Sequence, residues 1–215
     1  MMISHPFLRI SMVLIWLALL PLVWPNQAGA ESFQPKAGIH YDPIIPPVPV
    51  SGSKPEVVEV FNFKCPHCYK LHPRMNVWAA KMKDRFDIKS MPIAFTNQSD
   101  QPLRAYYAAQ FLGQGDAMKH ALFKAHFDDH SNIDAPEELT FIAEGVKLDL
   151  PRFQANLNSF AVNGKIAQGR SMSQAYGIVG TPTLVINGRY RVSPGKHDSN
   201  DPELLFNIVE ALAAQ

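Results

Sequence analysis

The sequence predicts an α/β fold in which a small mixed core is interrupted by a helical insertion. Three observations lead there. Val57-Val58-Glu59-Val60-Phe61-Asn62-Phe63 is a β-branched and aromatic run of strand length. Comparable strand signals close the core only near Thr183–Ile186, with a turn at Asn187-Gly188 and a partner strand over 189–192. Between the two ends the chain is dominated by helical stretches, which places the insertion at about 97–175.

Taken in order, residues 1–30 read as a cleaved export signal. Arg9 is their only side-chain charge, the 15-residue run Ile10–Trp24 is almost wholly apolar, and Ala28-Gly29-Ala30 supplies small residues at a cleavage site before Glu31. The rival reading, an uncleaved membrane anchor, needs roughly 20 apolar residues to span a bilayer. Residues 31–55 hold Pro35, Pro43, Pro46, Pro47, Pro49 and Pro55 and read as an extended proline-rich arm leading into a domain over 56–215. After the first strand, Tyr69–Phe86 is helical; Pro66 suits a first helical turn, and Pro73 predicts a kink or a break near the start. A short strand is expected over 87–95. Helical stretches follow at 103–112 and 117–127, then from a cap-like Asp134 to Glu144, then at 151–160 and 165–176. Asp201-Pro202-Glu203 opens a closing helix to Leu212.

The 215-residue chain has 20 Lys and Arg against 19 Asp and Glu, and 47% of its residues are hydrophobic. That composition supports a packed domain and argues against a wholly disordered chain. A near-neutral chain has no polyanion-binding field, so nucleic acid is not expected as a partner. Export into an oxidising compartment permits disulfides, yet the only cysteines are Cys65 and Cys68. A bridge this short restrains almost no unfolded chain, so stabilisation is a weak reason for the pair.

By spacing alone the pair is compatible with a metal half-site, a passive bridge or a redox couple. A tetrahedral zinc site needs two more ligands, and His120, His126 and His130 are irregularly spaced, reading as solvated or packing residues. No metal is therefore expected. The context favours redox chemistry: a strand delivers Cys65 to the opening of a helix, where unpaired amides and the dipole favour a thiolate. His67, between the sulfurs, adds a positive partner or hydrogen-bond donor. Cys65 is then the exposed reacting sulfur, and Cys68, one turn deeper, the resolving one.

The segment Glu59-Val60-Phe61-Asn62-Phe63-Lys64-Cys65-Pro66-His67-Cys68 strongly resembles the active site of the DsbA family of thiol-disulfide oxidoreductases. Gly180-Thr181-Pro182-Thr183, followed by Leu184-Val185-Ile186-Asn187-Gly188-Arg189-Tyr190, is similar to that family's second signature. The likeness in layout covers about 56–212 and implies a thioredoxin-like core carrying a helical insertion. It also implies roles residue by residue. Cys65 is the nucleophilic cysteine and Cys68 its partner, with Pro66 and His67 the dipeptide that tunes them toward oxidation. Pro182 is a cis-proline facing the disulfide, whereas local propensity alone favours trans. Thr181 contacts substrate backbone. Glu59, which as a strand carboxylate reads first as solvent-facing, becomes a buried acid beneath the inner cysteine, placed to relay a proton to or from it. Lys64 departs from the aromatic-prone position of familiar relatives, and as an exposed base it is a candidate for steadying a thiolate or tuning the docking surface.

The resemblance implies an oxidase of exported unfolded proteins. It needs no metal and no soluble organic cofactor, works in the periplasm, and is reoxidised by a quinone-linked membrane partner of the DsbB type. A monomer is expected, because isomerases on similar folds carry an added dimerisation domain ahead of the fold where this chain has a short arm. Two rival functions use the same residues: a disulfide isomerase or reductase, and a redox-inert peptide-binding or chaperone-like module that holds extended chains with aromatics such as Phe63 and Tyr69.

Overall fold

The computed structural model describes residues 1–2, 33–198 and 200–215. The export-signal reading of residues 1–30 therefore lies outside the described residues, Met1 and Met2 apart.

Five strands form one sheet in the order β1 (Asp42–Pro43), β5 (Tyr190–Val192), β4 (Thr183–Ile186), β2 (Glu56–Phe61), β3 (Asp87–Pro92). Only the β2–β3 pair is parallel. The crossover between those two is α1 (Pro66–Met82). The predicted insertion is a block of five helices between β3 and β4: α2 (Gln101–Gln110), α3 (Gly115–Phe127), α4 (Pro136–Gly145), α5 (Leu150–Leu157) and α6 (Phe160–Ala175). Helix α7 (Pro202–Ala213) closes the chain against β4, β5 and β2. This is the thioredoxin-like core with a helical insertion that the sequence predicts.

All six residues of β2 are buried. Strand alternation divides them between two faces. Val58 and Val60 pack with Ile44, Met91, Tyr176 and Val185, while Val57 joins Leu71, Met75, Trp78 and the apolar side of α7. Phe61, on the Val57 face, meets Phe63, Tyr106 and Phe123 in an aromatic cluster that ties the insertion to the sheet. Each fully buried phenylalanine contributes about 1.5–3 kcal/mol of apolar transfer. A strand covered on both sides has no solvent face, so Glu59 has nowhere exposed to go.

Three local expectations are corrected. Helix α1 runs unbroken through Pro73, because its buried face of Cys68, Leu71, His72, Met75 and Trp78 outweighs one missing donor. Asp134 does not cap α4. Ala135 occupies the N-cap with no side-chain bond, and the Asp134 carboxylate instead takes Lys64 Nζ at 2.5 Å. Phe160 does not end a helix over 151–160 but begins α6, where Ser159 Oγ accepts the Val162 amide at 3.2 Å. That cap supports a 16-residue helix. Ser159→Ala is expected to cost about 1 kcal/mol in urea unfolding, with an unchanged denaturant slope.

The proline-rich stretch docks. Asp42 and Pro43 pair with β5, Ile44 is buried, and the Ile44 and Val48 amides donate to the Arg189 and Gly188 carbonyls. Gly188 sits at φ +61°, and a β-carbon there would lie 2.0 Å from the Val48 carbonyl oxygen. Only glycine tolerates both that φ and that contact. Residues 33–215 thus form one unit in which this stretch supplies the edge strand.

Candidate active site

The reactive turn is built by Asn62. Its Oδ1 accepts the Lys64 amide at 2.8 Å, its backbone carbonyl accepts the Cys65 amide at 3.1 Å, and its Nδ2 donates to the Ile93 carbonyl at 2.7 Å. This buried amide stops the strand and turns the chain into α1. Cys65 is the N-cap of that helix, in extended conformation, with Pro66 in the first turn. Its Sγ accepts the Cys68 amide at 3.4 Å. A sulfur takes the place that a serine or aspartate oxygen usually fills at an N-cap, so the amides that would hold such an oxygen hold a thiolate.

The two thiols are free and unlike. Cys65 is partly exposed, and its pKa falls to about 5. The largest cause is the hydrogen bond from the Cys68 thiol. Burial opposes it, and the Thr181 side chain and the backbone amides of Cys68 and His67 add to it. Cys68 is fully buried and pushed far above the usual thiol range, first by burial and then by the neighbouring Cys65. One sulfur is thus poised as a thiolate, while the other stays protonated and serves as its donor.

The two signature segments converge because β4 runs antiparallel to β2. Val60 pairs with Thr183, so the residues just before β4 stand beside the end of β2 where the reactive turn begins. The Thr181–Pro182 bond is cis, as the resemblance implies, and Pro182 is buried. When protonated, the Cys65 thiol donates to the Thr181 carbonyl at 3.2 Å. The sequence suggests a positive partner or hydrogen-bond donor at His67, but its ring makes no bond to the sulfur. Its side chain is exposed, with no hydrogen-bond partner among the described residues, and lines a groove beside Thr181 and Pro182. What His67 brings to Cys65 is its backbone amide.

Glu59 is 2% exposed, and Lys119, 2% exposed on α3, donates to its Oε2 at 2.6 Å. Lys119 Nζ also reaches Ser90 Oγ at 3.1 Å and lies 4.2 Å from the centre of the Phe61 ring. Glu59 Oε1 has no hydrogen-bond partner among the described residues; the residue borders a cleft of about 580 Å³ shared with Asn76, Asp116 and Lys119. Lys64, tied to Asp134, does not supply a free charge to the thiolate. Asn62 and Lys119 are the residues that the sequence reading passes over. The signal for Lys119 was present: Met118, Leu122 and Phe123 mark the buried face of its helix, and a lysine within such a stripe needs a buried counter-charge.

Among known families, that of DSBA-like thioredoxin domains matches residues 56–205. The chain belongs to this family. Among curated relatives, the thiol:disulfide interchange protein DsbA of Pseudomonas aeruginosa is 30% identical over 200 residues, covering 93% of this chain and 94% of that protein. The DsbA of Burkholderia cepacia is 32% identical over 176 residues, covering 80% and 82%. Among solved structures, P. aeruginosa DsbA superposes with a TM-score of 0.75 at 30% identity, covering 83% of this chain and 93% of that one. The oxidoreductase DsbA of Xylella fastidiosa superposes with a TM-score of 0.73 at 30% identity, covering 84% and 96%. This DSBA-family chain is a thiol-disulfide oxidoreductase with dithiol oxidase activity. It is periplasmic.

Proposed function

We propose that the protein introduces disulfides into reduced, unfolded exported polypeptides, acting as a monomer through the Cys65–Cys68 couple. The observation that carries this reading is the unlikeness of the two sulfurs: Cys65 accessible with a pKa of about 5, Cys68 buried and held protonated. In the oxidised enzyme a substrate thiolate attacks Cys65 Sγ. The Cys65–Cys68 bond breaks, Cys68 leaves with the electron pair and takes a proton, and a mixed disulfide forms. A second substrate thiolate then attacks the substrate sulfur and expels Cys65 as a thiolate. The substrate dithiol has released two protons, one taken up by Cys68 and one by solvent, and has lost two electrons, which the enzyme has gained. A quinone-linked membrane oxidase of the DsbB type withdraws them again.

The remaining roles follow from position. Glu59, the buried carboxylate on the Val57–Phe61 face, relays the proton that Cys68 takes up and gives back. The Thr181 backbone and Pro182 hold the substrate chain beside Cys65. Pro66 supports the helix opening that stabilises the thiolate.

Stabilising the Cys65 thiolate lowers the free energy of the reduced enzyme, so the couple is expected to be more oxidising than glutathione. Proline at position 67 has no N–H and removes one of the amides that hold the sulfur. His67→Pro is therefore expected to make the couple more reducing by some tens of millivolts, where about 30 mV corresponds to 1.4 kcal/mol. Both proteins are equilibrated in glutathione buffers, quenched in acid and weighed. A wild-type potential at or below that of glutathione assigns a reductase or isomerase instead. An unchanged potential in folded His67→Pro removes residue 67 from the tuning role.

A further inference from the structure

The groove beside the reactive sulfur carries a charge pattern that the exchange chemistry does not require. It encloses about 550 Å³ and is lined on one side by His67, Lys70 and Arg74 of α1, and on the other by Thr181, Pro182 and the loop after β5. Positions 67, 70 and 74 recur at helical spacing and share one face. All three side chains are exposed. Lys64, Lys89 and Lys119 are each held by a carboxylate, whereas Lys70 and Arg74 have no ion-pair or hydrogen-bond partner among the described residues. The one carboxylate lining the groove, Asp198, is 2% exposed, and its Oδ1 accepts the Gly195 and Asn200 amides at 2.6 and 3.0 Å. Its Oδ1 is thus engaged within its own loop. Glu203 borders the adjoining groove, which it shares with both Arg74 and Lys81, and it forms an ion pair with neither among the described residues.

We propose that this groove reads acidic side chains that flank the substrate cysteine, so that the protein preferentially oxidises thiols in anionic segments. The inference rests on the thiol-oxidase reading and adds a substrate class to it. A concave site whose exposed charges are cationic, its one lining carboxylate being buried, focuses the field and raises the local concentration of anions. The spacing gives the register. At 1.5 Å per residue along a helix, Lys70 lies about 7 Å and Arg74 about 13 Å beyond Cys65. An extended substrate advances about 3.3 Å per residue, so aspartate or glutamate two to four residues from its cysteine comes level with Lys70 and Arg74.

Three single-cysteine peptides test this, identical except for aspartate, asparagine or lysine two and four residues to either side of the cysteine. Each is mixed in excess with the oxidised full-length protein, and loss of the Cys65–Cys68 disulfide is followed by acid quench and mass. Flanking charge also alters the thiol's own reactivity. Each rate is therefore divided by the same peptide's rate with hydroxyethyl disulfide, a neutral small disulfide. The corrected rate of the aspartate peptide is expected to exceed that of the lysine peptide about tenfold at low salt, and the ratio should collapse in about 0.5 M salt as the charges are screened. In K70E/R74E, checked for folding by its thermal transition, the order should invert; in K70Q/R74Q the ratio should approach one. If the asparagine peptide fails to react with the wild-type protein, the oxidase reading itself is wrong. If it reacts, but the charge ratio is near one or insensitive to salt, recognition by this groove is excluded whether or not the variants fold.

Discussion

Brief alkylation of the reduced protein at about pH 6 is expected to label Cys65 and leave Cys68 unmodified, because only a thiolate that reagent can reach reacts quickly. Followed against pH, the Cys65 rate should titrate near 5, well below an ordinary thiol. The same shift carries a stability consequence whose sign is fixed by linkage. In the reduced unfolded chain Cys65 has an ordinary thiol pKa, so between about pH 5 and pH 8.5 the unfolded state binds one more proton than the native state. The Cys65 contribution to the stability of the reduced form therefore rises through that window, is complete once pH reaches the unfolded pKa, and is lost as pH falls through 5; above about pH 8.5 the buried, protonated Cys68 acts in the opposite direction. The oxidised form has no thiol to titrate. Melting temperatures of the two forms, compared at about pH 4 and pH 8, should differ in the direction of a relatively more stable reduced protein at the higher pH. Labelling of Cys68 ahead of Cys65 would exchange the two roles, and a pH-independent difference in melting temperature would remove the native thiolate. Cys65→Ser should abolish oxidation outright, since the sulfur that the substrate attacks is gone.

Lys119→Met is expected to destabilise the protein by about 3–5 kcal/mol, a drop of about 10 °C in melting temperature, because it strands the Glu59 carboxylate in the core. Both partners are almost wholly excluded from solvent and meet at 2.6 Å. The magnitude reports the cost of an unpaired buried charge, not the worth of the pair. Removing both charges tests this: Glu59→Leu with Lys119→Met should recover most of the loss, since an apolar replacement of a buried pair is often neutral or better. A double-mutant cycle in urea separates the coupling from the two single effects. A Lys119→Met protein within about 0.5 kcal/mol of wild type would mean that the carboxylate carries no charge in the fold or stays hydrated from the adjacent cleft.

The sequence by itself determined the elements that carry the chemistry, because those signals are local. The β-branched run before Cys65, a proline suited to a first helical turn, the two cysteines one turn apart and the Asn187-Gly188 turn each depend on backbone preferences acting over a few residues. The sequence alone left Glu59 ambiguous, and the resemblance named its environment without its partner. Tertiary structure decided what depended on distant contacts. Glu59 is buried because helices cover both faces of β2, and it finds Lys119, 60 residues on, because the insertion folds α3 against that sheet. Asp134 gives up the cap of α4 for Lys64, and the stretch around Asp42 becomes an edge strand only once β5 exists to pair with it. His67 shows the limit most clearly. Its place between the sulfurs is plain in the sequence, but whether ring or amide faces Cys65 is set by the direction in which α1 leaves the sheet, and that direction is fixed by packing against strands and helices far along the chain.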